Sequence, residues 1–264
     1  MKAIISVANI AGRVGRSMTA ACLATELAMC GHKALLIDAD PQAGATEYFI
    51  PAEQVRLSLL NVLVGRAGSS QPRPASAPQP ECQLSDAIEQ TKIEKLGLMP
   101  SKIGLARFER EPTFSIFRLK SRLEFVRNDY DYVILDTPPY LGRILTACLV
   151  ASTHLLIPVA PAPRVLEGPE CLLTLTEELR SVFSVRLLGV VCNLLERQHP
   201  PSWELATGKE QWFKEVALKS MIFRDNQIEE CRLHHRPIQE FAPDSRGASM
   251  IANLTDELLL RLSK

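Results

Sequence analysis

The chain lacks three sequence features that would by themselves indicate a class of protein. It has no excess of charge, since 30 Lys plus Arg balance 30 Asp plus Glu, so any nucleic-acid surface must be local. Its seven cysteines are odd in number and form no CxxC pair, which suits a reducing cytosol. The opening apolar run, MKAIISVANIAG, is too short to span a membrane and has no signal-peptide cleavage site. We therefore expect a cytoplasmic protein.

Apolar residues are plentiful at 46% of the 264 residues, enough to bury a sizeable core. Short apolar runs predict strands over residues 2–8, 33–38, 96–99, 132–136, 154–159 and 185–192. Helical spacing predicts helices over residues 17–30, closed by Gly31, and over residues 166–181 and 247–262. Strands that alternate with helices predict an α/β fold, with a mostly parallel, doubly wound sheet and helices on both faces.

One segment breaks this pattern. Residues 65–81, GRAGSSQPRPASAPQPE, are rich in Gly, Ser, Pro and Gln and offer almost nothing to bury. We interpret the segment as a flexible insertion rather than a domain boundary, which makes residues 1–264 a single domain.

The stretch SVANIAGRVGRSMTAACLA, residues 6–24, carries a glycine-bearing turn between the first strand and the first helix. Backbone N–H groups and the helix dipole converge at such a turn, which favours an anion. Ser17 has the place of a hydroxyl that ligates Mg²⁺. A strict G-x-x-x-x-G-K-[ST] pattern fails, because Ile10 is not Gly and Arg16 is not Lys. On its own, the stretch suits a plain strand–turn–helix junction equally well.

Acidic residues end two further predicted strands. IDADPQAGAT, residues 37–46, places Asp38 and Asp40 where they could order a Mg²⁺ shell or orient a water, although a solvated turn would look the same. ILDTPPYLG, residues 134–142, ends a strand in Asp136, which is typical of a magnesium carboxylate beside a phosphate loop and also of an ordinary strand end.

Together these motifs resemble the ParA/MinD family of P-loop ATPases, and the ParA branch in particular. ANIAGRVGRSMT stands in place of a deviant phosphate loop, DADPQAGAT in place of D-x-D-P-Q-G-N-A-T, and LDTPP in place of L-D-x-P-P. GLMPSKIGLARFE, LLIPVAPAPRVLEGPE and the tail from residue 223 to 259 continue the likeness over nearly the whole chain except residues 65–81. The resemblance implies a P-loop NTPase fold that binds ATP or ADP with Mg²⁺.

Carried over by position, the resemblance assigns a role to each matching residue. Arg16 and Asp40 would be catalytic, and Ser17, Asp38 and Asp136 would hold the metal. Asn193 would contact an adenine edge or simply be a turn residue after a strand. The nucleotide-binding positions would be Ala11, Gly12, Arg13, Val14, Gly15, Arg16, Ser17, Met18 and Asn193.

Three loop positions depart from the family pattern. Ala11 replaces the signature lysine that reaches the partner's phosphates across a dimer, and Arg16 replaces the phosphate-gripping lysine. Arg13 replaces a glycine and would be strained if that position needs a positive φ. Because one cationic group contributes about 3–7 kcal/mol to phosphoryl transfer, we expect weak or absent ATP turnover. Alternatively, Arg13 or Arg16 takes over a lost role.

The resemblance implies a protein that positions a plasmid, a chromosomal origin or another cargo on nucleoid DNA. It would act as an ATP-linked homodimer released by a ParB-like or other cargo adaptor. Non-specific DNA contacts would come from Arg224, Arg232, Arg236 and Arg246, although nearby acids make a solvated face an equal alternative. One rival function is a non-hydrolysing scaffold. A membrane-associated, MinD-like regulator is disfavoured, because the terminal LLLRLSK suits a core.

Overall fold

The computed structural model describes residues 1–64, 82–161, 166–178, 183–195 and 211–263. The expected insertion over residues 65–81 lies outside these ranges. Eight strands form one sheet in the order β3-β4-β2-β5-β1-β6-β7-β8. All neighbouring strands are parallel except β3 and β4. The strands are β1 Ala3–Val7, β2 Ala34–Asp38, β3 Glu89–Gln90, β4 Leu96–Met99, β5 Tyr132–Asp136, β6 His154–Val159, β7 Arg186–Leu195 and β8 Ala217–Phe223.

Ten α-helices and six short 3-10 helices occur in the described residues. The α-helices are α1 Arg16–Met29, α2 Leu59–Val64, α3 Leu84–Ala87, α4 Arg118–Leu123, α5 Arg143–Ala151, α6 Glu167–Glu178, α7 Gln211–Val216, α8 Asn226–Cys231, α9 Ile238–Phe241 and α10 Arg246–Leu262. The 3-10 helices are Thr46–Tyr48, Ala52–Gln54, Ile103–Arg110, Thr113–Phe117, Glu124–Val126 and Arg232–His234.

Helices cover both faces of the sheet. Successive side chains of a strand point to opposite faces, and β5 shows this directly. Ile134 packs in the cluster formed with α1 and α10, whereas Val133 and Leu135 pack with α4 and α5. Small residues such as Ala20 and Ala24 let α1 lie buried against the strands, with both side chains at 0% exposure. The predicted doubly wound arrangement is confirmed.

The predicted strands are all present, with ends shifted by up to three residues. Sequence reasoning missed β8, because this edge strand is only half buried and shows no continuous apolar run. Its outer side is covered by α10, whose Glu257 carboxylate accepts from the amides of Lys219 and Ser220 at 2.9 and 2.8 Å. In the terminal leucine stretch, Leu258 is in the core. None of the helices in the described ranges is long and apolar enough to cross a bilayer.

Candidate functional site

Three adjacent strands end together at one edge of the sheet. The register places Val7 and Asp38 on either side of Asp136. The loop after Val7 leads into α1, which begins at Arg16. The structure therefore brings together the loop and the acidic strand ends that the sequence predicted to be neighbours.

The loop backbone adopts two left-handed residues. Arg13 has φ 60 and Gly15, the residue before α1, has φ 80. Only Gly15 has the conformational freedom for such a value, so Arg13 carries backbone strain, as the sequence comparison anticipated. Ala11, Gly12 and Arg13 are exposed, whereas Val14 is buried. The exposed tip is thus open to an incoming ligand.

Asn9 anchors the loop, and sequence reasoning missed it. Its side-chain oxygen accepts from the Ala11 amide at 2.9 Å, and its amide nitrogen donates to the Pro158 carbonyl at 2.8 Å. Gly168 approaches so closely that a Cβ there would lie 2.1 Å from Asn9 Oδ1. An Asn that bonds an amide two residues later is a recognised turn signal and could have identified this role.

Arg16 points into the protein. Its side chain is 7% exposed, and Nε donates to the Thr137 carbonyl at 3.1 Å. Nη1 donates to the carbonyls of Asn9, at 3.0 Å, and Ala11. Burial lowers the pKa of Arg16, and the nearby carboxylates of Asp136 and Asp40 oppose that shift. The group expected to grip phosphate instead contacts main-chain carbonyls.

Asp38 organises the loop that follows β2. One carboxylate oxygen accepts from the Asp40 amide at 3.0 Å. The other accepts from the amide and the hydroxyl of Thr46 at 2.7 and 2.8 Å. Burial raises the pKa of Asp38 to about 7, although these hydrogen bonds act in the opposite direction. The predicted metal ligand therefore already has protein donors on both oxygens.

Asp40 lies nearby with a buried side chain, 5% exposed. Its Oδ1 accepts from the Gln42 amide at 2.9 Å. Burial raises its pKa, whereas the Arg16 guanidinium lowers it. The proposed catalytic pair, Arg16 and Asp40, is thus brought together by the fold.

Asp136 is different, because neither carboxylate oxygen accepts a hydrogen bond of normal geometry from the described residues, although the Ser17 hydroxyl lies close enough to lower its pKa. The side chain is 0% exposed. Burial raises its pKa well above the usual range, and Asp38 adds to the shift, while the Ser17 hydroxyl and Arg16 oppose it. A buried carboxylate without partners is costly unless a ligand satisfies it.

The donors at this edge fit a magnesium ion. Ser17 is half-buried, and its hydroxyl lies against Gly44, where an added Cβ would come within 2.8 Å of Oγ. A hydroxyl and carboxylates are the oxygen ligands that Mg²⁺ prefers, together with waters and phosphate. Within the described ranges, no cluster of three or more His, Cys, Asp or Glu side chains forms a complete metal cage.

A cavity of about 720 Å³ opens beside the loop. Its volume lies in the range of small-molecule sites, roughly 300–1,000 Å³. The lining combines loop residues with residues of β7, α8 and the 3-10 helix Arg232–His234. The lining residues include Arg13, Ser17, Met18, Tyr48, Leu194, Asn226, Ile228, Glu229, Arg232 and Leu233.

Two similarities decide the family. A family model described as an AAA domain matches residues 2–187. The sporulation initiation inhibitor protein Soj of Bacillus subtilis is 32% identical over 264 residues, covering 98% of each chain. The chain belongs to the ParA/MinD family.

Two further comparisons concern the sequence and the fold. The chromosome partitioning protein ParA of Caulobacter vibrioides is 28% identical over 266 residues, covering 98% of this chain and 94% of the relative. Cobyrinic acid a,c-diamide synthase of Mycobacterium smegmatis, crystallised with ADP and magnesium, gives a TM-score of 0.79 at 23% identity. That match covers 100% of this chain and 96% of the other and shows likeness of fold. The predicted family and P-loop fold class are confirmed.

Against the ParA/MinD pattern, Asn193 has an unexpected position. It is 0% exposed, and its amide nitrogen donates to the Val14 carbonyl at 3.0 Å and the Thr19 hydroxyl at 2.9 Å. Asn193 therefore holds the loop from the buried side. It also packs against Gly15, where an added Cβ would lie 2.9 Å from Asn193 Nδ2. The amide hydrogens that could meet adenine are therefore used inside the protein, and an adenine contact stays a prediction.

The four arginines expected to contact DNA in this ParA-like chain already have partners. Arg236 forms an ion pair with Glu240 at 3.1 Å, and Arg232 approaches Glu47 at 3.6 Å. Arg224 lies 3.9 Å from Glu229, and Arg246 stacks over the Phe223 ring at 4.7 Å. Arg232 lines the loop cavity, whereas Arg246 lines a separate groove of about 500 Å³ beside β8. Whether they bind DNA stays a prediction.

Proposed function

We propose that this chain binds Mg²⁺ with ATP or ADP at the loop over residues 9–17. The observation that carries the proposal is Asp136, a fully buried carboxyl group that accepts no hydrogen bond of normal geometry from the described residues and lies close to the Ser17 hydroxyl. When bound, the ion neutralises charge on the phosphates and on this carboxylate. Ser17 and Asp136 would hold it, with Asp38 and Asp40 shaping the surrounding loop.

The phosphates would meet the amides of the exposed loop tip and the start of α1. This 14-residue helix directs its positive dipole end toward the loop. The nucleoside would occupy the neighbouring cavity, which combines the apolar side chains of Leu194 and Ile228 with the polar side chain of Asn226. Apolar walls with a few polar groups suit a base and a ribose.

We infer a cellular role in positioning cargo. Soj and ParA are named for sporulation control and chromosome partitioning, and both align with nearly the whole chain. Nucleotide occupancy would favour a homodimer on nucleoid DNA in the cytoplasm, and a ParB-like or other adaptor would release it. The identity of the cargo would follow from that adaptor.

A second candidate function is a scaffold that binds nucleotide without turning it over. Two observations favour it. Ala11 carries no charge at the position of the family's signature lysine, and Arg16 is buried and donates to the main-chain carbonyls of Asn9, Ala11 and Thr137. Such a protein would keep the fold and the metal site and act through protein contacts alone.

The deciding experiment measures ATP binding and hydrolysis with and without non-specific DNA. The native protein is compared with a double variant, Ala11→Lys plus Arg16→Lys. DNA-stimulated turnover by the native protein would eliminate the scaffold. Binding without turnover, with turnover gained in the double variant, would establish it. Absence of nucleotide binding in both proteins would overturn the nucleotide site itself.

DNA binding has a separate test. Fluorescence anisotropy with a labelled duplex should give an affinity that falls steeply with salt, because phosphate contacts release counterions. Arg246→Ala tests the groove beside β8, and Arg127→Ala is the matched control, since Arg127 is an exposed, ion-paired arginine near the start of β1. An unchanged affinity in Arg246→Ala would remove that residue from the DNA surface.

A further inference from the structure

Arg16 connects two segments that must stay together at the site. Nε bonds the carbonyl after β5, at Thr137, while Nη1 bonds the carbonyls of Asn9 and Ala11 in the loop. All three acceptors are main-chain atoms, so these contacts hold backbone in place. A planar guanidinium can donate in two directions from separate nitrogens, whereas an ammonium is a single point.

This arrangement commits Nε and Nη1 of Arg16 to main-chain carbonyls, one of which belongs to Ala11 in the loop tip. The side chain is buried, and Asp136 and Asp40 are the charged groups that act on it. To reach a ligand at the exposed tip, Arg16 would have to give up three hydrogen bonds at once. Its contacts therefore belong to the architecture of the loop.

Arg13 has the opposite character. It is exposed, lies at the loop tip and lines the 720 Å³ cavity. Among the described residues it forms no hydrogen bond or ion pair. Arg16 and Arg232 also line the cavity, but Arg16 donates to main-chain carbonyls and Arg232 approaches Glu47. Arg13 is also held at φ 60, a value that an arginine rarely adopts.

We propose that the two loop arginines divide the work of one lysine: Arg16 is a positioning residue that holds the loop, and Arg13 supplies the cation that meets the phosphates. The proposal rests on the nucleotide site proposed above and assigns its charge recognition. Arg13 would contact the phosphate chain from the cavity side, where no partner among the described residues holds its long side chain. A charge supplied from the tip in this way replaces the one that Arg16 holds inside.

The test uses the full chain and three ligands that differ in phosphate number: ATP, ADP and adenosine, each with Mg²⁺. Binding is measured by titration calorimetry, with adenosine measured by competition. Arg13→Ala should weaken ATP about tenfold, ADP less, and adenosine not at all, and added salt should shrink these differences. Arg127→Ala, an exposed arginine near the start of β1, should change none of them.

Arg16→Lys is the conservative variant for the positioning role. It should weaken ATP and ADP by the same factor, and it should speed amide hydrogen exchange over residues 9–17 about tenfold without any nucleotide. A loss graded by phosphate number, with unchanged exchange, would show that Arg16 touches phosphate and would overturn the proposal. An ungraded or absent effect of Arg13→Ala would overturn it as well. If the native chain binds no nucleotide, the proposed function fails and Arg13 loses its role, while the exchange measurement still decides the role of Arg16.

Discussion

Two buried ionisable side chains at the same edge of the sheet differ in what surrounds them. Arg16 donates to three main-chain carbonyls, whereas neither oxygen of Asp136 accepts a hydrogen bond of normal geometry from the described residues. Both side chains are nearly or fully buried, at 7% and 0% exposure. The cation is satisfied by the fold itself, and the anion is left for something that the fold does not supply.

This difference separates structural charge from functional charge. Removing a buried charge that has protein partners is strongly destabilising, because those partners are left unsatisfied, and such a charge gains little from a ligand. One without partners lowers stability and gains much when a cation arrives. At this edge, Arg16 is therefore expected to control folding and Asp136 to control binding, whereas the family resemblance assigns Arg16 to catalysis and Asp136 to the metal.

The largest expected effect comes from Arg16→Ala. It removes the donor for the carbonyls of Asn9, Ala11 and Thr137 and leaves the acidic cluster without its cation. Breaking a buried charged arrangement costs about 3–5 kcal/mol, so we expect the free energy of unfolding to fall by about 3 kcal/mol. Denaturant unfolding measures it. Arg13→Ala, on the same loop but exposed, is the matched control and should change stability by less than about 0.5 kcal/mol. Equal losses of unfolding free energy in the two variants would contradict the structural role of Arg16.

The second prediction concerns Asp136→Asn. The amide keeps the shape of the side chain but removes the charge that a magnesium ion would neutralise. We expect Mg²⁺-dependent ATP affinity to fall about 100-fold, which corresponds to about 2.7 kcal/mol. Calorimetry with and without EDTA gives the metal-dependent part. Binding that depends on magnesium as strongly as in the native chain would remove Asp136 from the metal site.

The third prediction is a pH dependence of the ligand-free chain. Burial raises the pKa of Asp38 to about 7 and that of Asp136 well above the usual range, so the folded state keeps protons that the unfolded state has lost. The stability that these two groups contribute is therefore complete below about pH 4. It falls as the pH rises toward 7, at about 1.4 kcal/mol per pH unit for each group.

Between pH 5 and 7, the unfolding free energy should therefore drop by about 2 kcal/mol through Asp38 alone, and Asp136 adds to this fall. Denaturant unfolding across this range checks the value. Asp136→Asn should reduce the slope, and magnesium with nucleotide should restore stability at pH 7 because it binds the ionised form. An unfolding free energy that does not change with pH would mean that the pKa values of Asp38 and Asp136 are not raised in the folded chain, and it would contradict this prediction.

The sequence could predict the position of this site better than the orientation of its side chains. Parallel strands place their carboxyl ends at one edge, so Asp38 and Asp136 were expected to be neighbours, and their register confirms it. The direction of the Arg16 side chain depends on carbonyls far away in sequence, including Thr137. No local pattern encodes such a contact.

The missed features have the same physical origin. Thr46, eight residues after Asp38, donates two hydrogen bonds to the Asp38 carboxylate. The Asn193 side chain donates to Val14 and Thr19, which are distant from it in sequence. The strand β8 has too few buried residues for a clear period. Position along the chain predicts which elements meet, whereas tertiary partners decide what each polar atom does.

The smallest expected effect concerns backbone strain in the loop after β2, the acidic counterpart of the loop that carries Arg16. Ala43 has φ 56, in the loop that Asp38 organises, so Ala43→Gly should relieve strain and raise the unfolding free energy by about 1 kcal/mol. Thermal and denaturant unfolding measure the gain. The neighbouring Gly44→Ala is the control and should do the reverse, because its Cβ would come within 2.8 Å of Ser17 Oγ. If Ala43→Gly destabilises the chain instead, flexibility in this loop matters more than strain, and the acidic side depends on its alanine for rigidity.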